Sequence, residues 1–443
     1  MFAVKRLPLR LGMAAAIFEK SGYTCEIQDY PSEEKTWQDF ERDLARFDPD
    51  LLFISTTFGT RHEDLEACRI AKRHNENIVT LMKGAPGDDD GALESCRQLD
   101  FFTTREVDWE IKSIALRERL DEIPGLTYRN NGQIISNPKG PFLKDLDSLP
   151  VPAYHLYNHE LYRRPDTGEK LIIITAAKGC PEECIFCTAP LGTGKALRQR
   201  SPKSIIDEVQ ECTEKYGVKN FLLASETFTY NKKWALEICN EILDRNLKIS
   251  WNCNTRADRI DEELVEWMKR AGCHAIAMGL ESGNQDTLDR MKKGITLAQA
   301  EQAVKIISAA KIRTYLTYVI GFPWETRELI EETVQFAIKL SGDITEFILA
   351  IPLYGTELHD IAKQEGILEE TGRFLNDNRV KHSYLSHDEL AQIYRQAMRR
   401  FYLRPSYILQ TLTRAPSFKA LCRTAVFGSF QLIRSLTRKG HLP

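Results

Sequence analysis

Along this chain the spacing of apolar residues switches repeatedly between a helical period and short strand-like runs, and it does so in two successive series. In the first, helical spacing over Leu11–Lys20, Trp37–Arg46 and Glu63–Arg73 alternates with runs at Thr24–Gln28, Leu51–Ser55, Ile78–Met82 and Asp100–Thr104. The unbroken apolar run Leu51–Ser55 suits a strand covered on both faces, as in a parallel sheet. Repeated βα units of this length predict a doubly wound, Rossmann-like sheet. The turn-forming stretch KGAPGDDDG (83–91) punctuates the series, and a hairpin turning at Asn130-Asn131-Gly132 closes it. The proline-punctuated stretch Asn137–Tyr157 reads as a linker.

The second series predicts strands at Leu171–Thr175, Asn220–Ala224, Ile249–Asn254, His274–Gly279, Thr314–Ile320 and Glu346–Ile351. Between them lie helices near Pro202–Tyr216, Lys233–Arg245, Asp261–Ala271, Gln285–Met291 with Leu297–Ala310, and Arg327–Leu340. Six such units fit a (β/α)6 partial barrel of the TIM type, whose chemistry gathers at the C-terminal strand ends. The domains expected are 1–136 (Rossmann-like), 137–165 (linker), 166–354 (barrel) and 355–443 (helical). The fold class is therefore α/β with a helical C-terminal region.

Composition narrows the classes without choosing among them. A chain of 443 residues, 42% apolar and 28% charged, is of globular type with two or three domains. A net charge of −3 leaves no overall nucleic-acid footprint. The start MFAVKRLPLRLGMAAAIF has the outline of a signal peptide, but Arg10 interrupts its apolar run and no clean cleavage site follows. No apolar run reaches the roughly 18 residues of a membrane span. Eleven cysteines, an odd number spread over a long chain, fit a reducing cytoplasm better than a disulfide framework. Eight of them (25, 68, 96, 212, 239, 253, 273 and 422) read as small buried hydrophobes.

The other three carry chemistry. Cys180, Cys184 and Cys187 follow the first strand of the second series in a C-x3-C-x2-C spacing. Three thiolates hold three corners of a cubane iron–sulfur cluster, which leaves the fourth iron open to a substrate or cofactor. The alternative, zinc on three cysteines and a histidine, lacks a histidine near the loop in sequence. Polar residues also cluster after the later strands: Ser225-Glu226, Arg256, Glu281-Ser282 and Gly321-Phe322-Pro323.

The segments KGCPEECIFC (178–187), ASETFTYN (224–231), NTRADRIDEELVEWMKRAGC (254–273), GLESGNQDTLDRMKKGIT (279–296) and VIGFPWET (319–326) resemble the radical S-adenosylmethionine superfamily. Over roughly residues 8–410 the chain is similar to its members with an N-terminal cobalamin-binding domain. The resemblance implies a [4Fe–4S] cluster on Cys180, Cys184 and Cys187 whose open iron holds the amino and carboxylate groups of S-adenosylmethionine. Reduction by an electron donor such as flavodoxin or ferredoxin then releases a 5′-deoxyadenosyl radical that abstracts a substrate hydrogen. Phe186 would shield the cluster, and Glu226, helped by Ser225, would take the methionine ammonium. Arg256 would pair with the methionine carboxylate, Glu281 and Ser282 would meet the ribose hydroxyls, and Gly321 to Pro323, with Phe322, would lie against the adenine. Three of these side chains have other uses open to them. Glu226 also suits a helix N-terminus, Arg256 a solvated pairing with Asp258 or Asp261, and Glu281 a surface charge.

In the N-terminal domain the resemblance implies cobalamin over the strand ends, lined by Thr56, Thr57, Lys83, Gly84 and Ala85. Only MFAVKR precedes Leu7-Pro8-Leu9, so the first strand is expected to be missing or stunted, and there is no D-x-H-x-x-G segment. An empty, purely structural domain is the alternative. The implied function is methylation of an unactivated carbon. Alternatives are a radical cyclase, oxidoreductase or rearrangement enzyme without cobalamin methyl transfer, and a non-catalytic iron–sulfur redox protein. The substrate expected is a small or lipid-like molecule, with no nucleic-acid partner.

Residues 395–443 carry ten Lys/Arg and no Asp/Glu, interleaved with aromatic and aliphatic side chains. They read either as a helical cap on the barrel or as a helix lying on an anionic membrane surface.

Overall fold

The computed structural model describes residues 5–57, 59–85, 91–104, 106, 111–369, 379–414 and 420–423. Most of the KGAPGDDDG turn (86–90) and of the basic terminal stretch (415–419 and 424–443) lies outside the described residues.

The N-terminal sheet has five strands: β1 (Leu51–Ser55), β2 (Val79–Lys83), β3 (Phe101–Thr103), β4 (Leu126–Asn130) and β5 (Gln133–Ser136), in spatial order β1-β2-β3-β4-β5. The first three are parallel and the last two add as an antiparallel hairpin. Both faces are covered, as the unbroken apolar runs require. Helix α1 (Leu9–Lys20) places Ala14 and Phe18 against Leu81, Phe101 and Leu126. On the other face, α3 (Arg61–His74) sets Leu65 and Cys68 against Met82 and Phe102. Helix α2 (Trp37–Phe47) lies between them in sequence, started by a capping box of Thr36 and Asp39. The strand expected at Thr24–Gln28 is not formed. Among the described residues β1 is therefore the edge of its sheet, with no strand paired on its open side.

The second sheet has six strands: β6 (Leu171–Thr175), β7 (Asn220–Ala224), β8 (Ser250–Thr255), β9 (Cys273–Glu281), β10 (Arg313–Ile320) and β11 (Ile344–Leu349). They lie side by side in chain order, every neighbouring pair parallel. This is the (β/α)6 partial barrel. Its helices are α4 (Pro202–Tyr216), α5 (Lys232–Asp244), α6 (Glu262–Arg270), α7 (Gln285–Arg290), α8 (Leu297–Ala309) and α9 (Arg327–Leu340). Alternate residues of each strand, such as Ile276, Met278 and Leu280 of β9 or Leu316, Tyr318 and Ile320 of β10, join helix residues including Val304, Ile307, Ile330 and Val334 in one large core. The intervening β9 positions are Ala275, Ala277 and Gly279, small side chains that leave the inner face of the sheet open.

The stretch expected as a linker is a packed joint. Tyr154 is buried and its hydroxyl donates to Glu208 Oε1 at 2.7 Å. The Tyr157 hydroxyl reaches back to the Pro8 carbonyl at 2.8 Å, and the Tyr162 hydroxyl to Asp29 at 2.9 Å. Gly12 is required here, since a Cβ would stand 2.8 Å from the Tyr157 hydroxyl. The proline punctuation was a sign of irregular backbone, and aromatic burial gave that backbone a fixed course.

After β11 come α10 (Glu357–Gln364), α11 (His387–Tyr402) and α12 (Pro405–Arg414). Among the described residues no helix is long and apolar enough to cross a membrane.

Candidate active site

The cysteines hang on a loop that the fold pins from three sides. Gly179, in the left-handed region at φ 95°, lets the chain pass close to Ala196 before Cys180, whose N–H donates to the Gly194 carbonyl at 3.0 Å. The Ile185 N–H donates to the Met291 carbonyl at 3.1 Å, and the Leu358 N–H of α10 donates to the Ile185 carbonyl at 2.8 Å. The loop is thus fastened to the segments that follow β9 and β11. Phe186 meets Phe322 edge-on, ring centroids 5.9 Å apart, and Ile185 joins Met291, Val319 and Phe322 in an apolar cluster. All three thiols are free and partly buried. Burial pushes the Cys184 thiol up to about 11, against the pull of Lys293 and Arg256. Among the described residues no group of three His, Cys, Asp or Glu side chains is drawn together tightly enough to hold a single metal ion.

Two acidic groups and two cations surround the loop. Glu226, just past β7, accepts from the Thr193 hydroxyl at 2.7 Å through Oε1, while its Oε2 is buried without a partner. Ser225 is buried, and its hydroxyl oxygen accepts from the Thr227 N–H at 3.2 Å. Glu281 ends β9 at φ 64°, a left-handed conformation beside a bulge between residues 279 and 281. Its Oε1 accepts from Lys293 Nζ at 2.7 Å, and both side chains are under a tenth exposed. Burial alone would lower the Lys293 pKa, but Glu281 and Cys184 outweigh it and the pKa is raised. Sequence reasoning missed Lys293. Its one signal was its place in MKKG, twelve positions past Glu281, where a lysine reads as an ordinary surface charge.

Arg256 is buried at the end of β8 and fully engaged within the protein. Its guanidinium donates to Asp258 at 2.9 Å and to the Lys293 carbonyl at 2.9 Å, and it pairs with Glu182 of the cysteine loop at 3.3 Å. The pairing with Asp258 is one of the uses its sequence left open, although the site is buried rather than solvated. Pairing with Glu182 makes Arg256 a brace between β8 and the loop. Ser282 turns toward α9, where its hydroxyl meets that of Thr333 at 3.1 Å. Gly321, at φ 88°, packs under Leu390, where a Cβ would stand 2.8 Å away. The N–H groups of Gly321 and Phe322 donate to Glu325 Oε2 at 2.6 and 2.9 Å, so this turn is held by an acid that sequence reasoning left out. Phe322 stacks on Trp324, centroids 4.9 Å apart.

Thr56, Thr57 and Gly84 form a second group at the C-terminal ends of the N-terminal strands. The Thr56 N–H donates to the Lys83 carbonyl at 3.0 Å, and the Gly84 N–H to the Thr103 carbonyl at 2.7 Å. Thr57 is exposed beside them. Just past β3, Glu106 crosses to the barrel, pairing with Arg198 at 2.8 Å and Lys178 at 3.1 Å. Burial would raise its pKa, but these two cations hold it below the ordinary carboxylate value. The strand-end edge of the N-terminal sheet is thereby joined to the short strand Ala177–Lys178 that leads into the cysteines.

Comparison with known proteins agrees with this architecture. A family model for the radical SAM superfamily matches residues 174–337. An uncharacterised methyltransferase of Pyrococcus horikoshii is 30% identical over 425 residues, covering 93% of this chain and 92% of the relative. An anaerobic magnesium-protoporphyrin IX monomethyl ester cyclase of Cereibacter sphaeroides is 26% identical over 416 residues, covering 90% of this chain and 67% of the relative. Among solved structures, the cobalamin-dependent S-adenosylmethionine radical enzyme OxsB shares the fold at a TM-score of 0.77 and 17% identity, covering 98% of this chain and 70% of its own. The radical S-adenosylmethionine methyltransferase TsrM of Kitasatospora setae shares it at a TM-score of 0.72 and 19% identity, covering 83% and 76%.

Proposed function

Because this chain belongs to the radical S-adenosylmethionine superfamily, we propose that it methylates an unactivated carbon of a small molecule with the help of cobalamin. One observation carries the cofactor assignment to this site: Glu226 keeps a buried carboxylate oxygen without a partner beside three free thiols. A buried charged acceptor is costly unless something pairs with it, and the ammonium of S-adenosylmethionine is such a partner. When bound, the cluster and S-adenosylmethionine supply one-electron radical initiation, and cobalamin supplies a methyl carrier.

The chain's own residues would do the following. Cys180, Cys184 and Cys187 ligate three irons as thiolates. Phe186 and Phe322 keep water from one side of them. Glu226 Oε2 accepts the methionine ammonium, while Thr193 fixes the carboxylate's orientation through Oε1. Lys293, held in place by Glu281, offers a cation to the methionine carboxylate. Arg256 braces the loop through Glu182 and is the poorer candidate for that carboxylate, its donors being already engaged. Glu281 keeps a second oxygen for a ribose hydroxyl. Thr56, Thr57 and Gly84 border the place for cobalamin, and Glu106 fastens that edge to the barrel. Like other members of its superfamily the enzyme requires a reductant, for which flavodoxin or ferredoxin is proposed, and a small-molecule substrate, with a lipid-like one included.

A radical cyclase is the second reading, favoured by the 26% identity to the magnesium-protoporphyrin ester cyclase. The test is anaerobic reconstitution with iron, sulfide and cobalamin, followed by reductant and S-adenosylmethionine. Bound cobalt with accumulating S-adenosylhomocysteine and 5′-deoxyadenosine supports methylation. Release of 5′-deoxyadenosine without bound cobalt favours the cyclase reading, and no release from a fully loaded cluster returns the chain to a redox protein.

A further inference from the structure

Helix α12 is mounted the wrong way round for an ordinary surface helix. Three of its polar side chains, Tyr407, Gln410 and Arg414, reach back to the protein. The Tyr407 hydroxyl donates to the Asp343 carbonyl at 3.0 Å, Gln410 donates to the Ser341 carbonyl at 3.1 Å, and Arg414 pairs with Asp343 at 2.7 Å. Ser341 and Asp343 lie just before β11, so this contact is at the base of the barrel, away from the cysteine loop. The apolar side chains of α12 face outward instead. Ile408 is 47% exposed, Leu409 62% and Leu412 53%, and Leu403 at the turn from α11 is 49% exposed. No residue of α12 is buried. A helix of a globular protein normally turns its apolar stripe to the core. Single exposed leucines are ordinary, whereas four such side chains within ten positions form a patch of the kind that marks a contact surface.

Charge decides what covers it. From Arg395 to Pro443 the chain has ten Lys/Arg and no Asp/Glu. Arg400 and Arg414 are paired with Glu331 and Asp343 of the barrel, and the run has no acid of its own to answer the rest. A second copy of the chain, joined patch to patch about a two-fold axis, would set this positive run against itself. The chain's own residues 415–443 carry five of those ten cations and no anion, so they would not answer the charge either. An anionic bilayer complements both features at once: its headgroups meet the Lys/Arg, and its acyl boundary takes up the leucines and isoleucine.

We propose that α12 and the basic segment around it dock the barrel base onto an anionic membrane surface. This docking is independent of the reaction assigned above. It is tested with the reconstituted full chain and vesicles of phosphatidylcholine with and without phosphatidylglycerol. The chain should sediment with the phosphatidylglycerol vesicles, less at high salt, and not with phosphatidylcholine alone. Leu409→Glu/Leu412→Glu replaces only exposed side chains and leaves the cluster loop untouched. It should lower the partition coefficient by about tenfold or more with unchanged circular dichroism and cluster absorbance. Equal sedimentation with the two vesicle types overturns the proposal, as does full binding by the double variant. A dimer in sedimentation equilibrium that Leu409→Glu/Leu412→Glu dissolves assigns the patch to a second copy. Tighter binding by a chain ended after Arg414 assigns it to the chain's own terminal segment.

Discussion

Glu325 should make the protein less stable as pH rises through neutrality. Its side chain is fully buried, Oε2 accepts two backbone N–H groups, and Oε1 is buried without a partner. Burial pushes its pKa from 4.5 up to about 7, against those two N–H groups, and no charged side chain figures among the causes. In the unfolded chain the carboxyl ionises near the ordinary value. Between the two pKa values the folded state therefore holds a proton that the unfolded state has released. Stability is full below about 4.5, falls as pH rises, and the loss is complete above about 7. The span corresponds to a penalty on the order of 3 kcal/mol at alkaline pH. Glu325→Gln keeps an oxygen to accept the Gly321 and Phe322 N–H groups and has no charge to bury. Urea unfolding of cluster-free protein at a series of pH values is the assay. The variant should gain on the wild type from pH 5 to about pH 7, level off by pH 8, and match or exceed it at the upper end. Parallel profiles for the two proteins would refute the reasoning, because the difference between them isolates this one carboxyl.

Four further outcomes are expected. Lys293→Met leaves Glu281 buried without its cation and should cost about 3–5 kcal/mol, while adding Glu281→Gln should restore part of that loss; additive effects in urea unfolding would show that the pair is not coupled. Replacing Cys180, Cys184 and Cys187 together by alanine should abolish the cluster absorbance after reconstitution, with circular dichroism retained. Gly12→Val drives a side chain into Tyr157 and Pro152 and should lower stability by about 1–3 kcal/mol, read by thermal unfolding, with Tyr157→Phe recovering little because the ring remains. Glu106→Ala should speed hydrogen exchange across residues 177–199, where Arg198 loses its carboxylate partner and Lys178 one ion pair; an unchanged exchange rate there would remove Glu106 as the joint.

Much of the barrel could be read directly from spacing. Six apolar runs of strand length, each followed by a helical pattern, become six neighbouring parallel strands in chain order. The cysteine loop was legible for the same reason, since ligand spacing is local. What spacing could not carry was partnership. Thr24–Gln28 has strand-like residues, but strand formation depends on a neighbour that lies elsewhere in the chain. Residues 137–157 look loose from their prolines, yet Tyr154 and Tyr157 find partners at Glu208 and Pro8, more than fifty residues away in each case. Lys293 and Glu325 belong to the same class. Each is an unremarkable charged residue until the fold buries it against Glu281 or the Gly321 turn. Arg256 stands at a strand end and makes the pairing with Asp258 that its sequence left open, whereas its pairing with Glu182, across the cysteine loop, could not be read from spacing.

The Glu106 clasp has a consequence for taking the molecule apart. The two α/β units look modular in sequence, and a barrel without its N-terminal neighbour would keep every strand. It would also keep Arg198, a guanidinium only 7% exposed, without the Glu106 carboxylate that pairs with it. A graft of another protein's N-terminal unit meets the same demand, unless the donor carries a carboxylate just past its third strand. The halves are separable as chain but not as charge, so chimaeras of this enzyme should be cut on the far side of Glu106 or carry that residue with them.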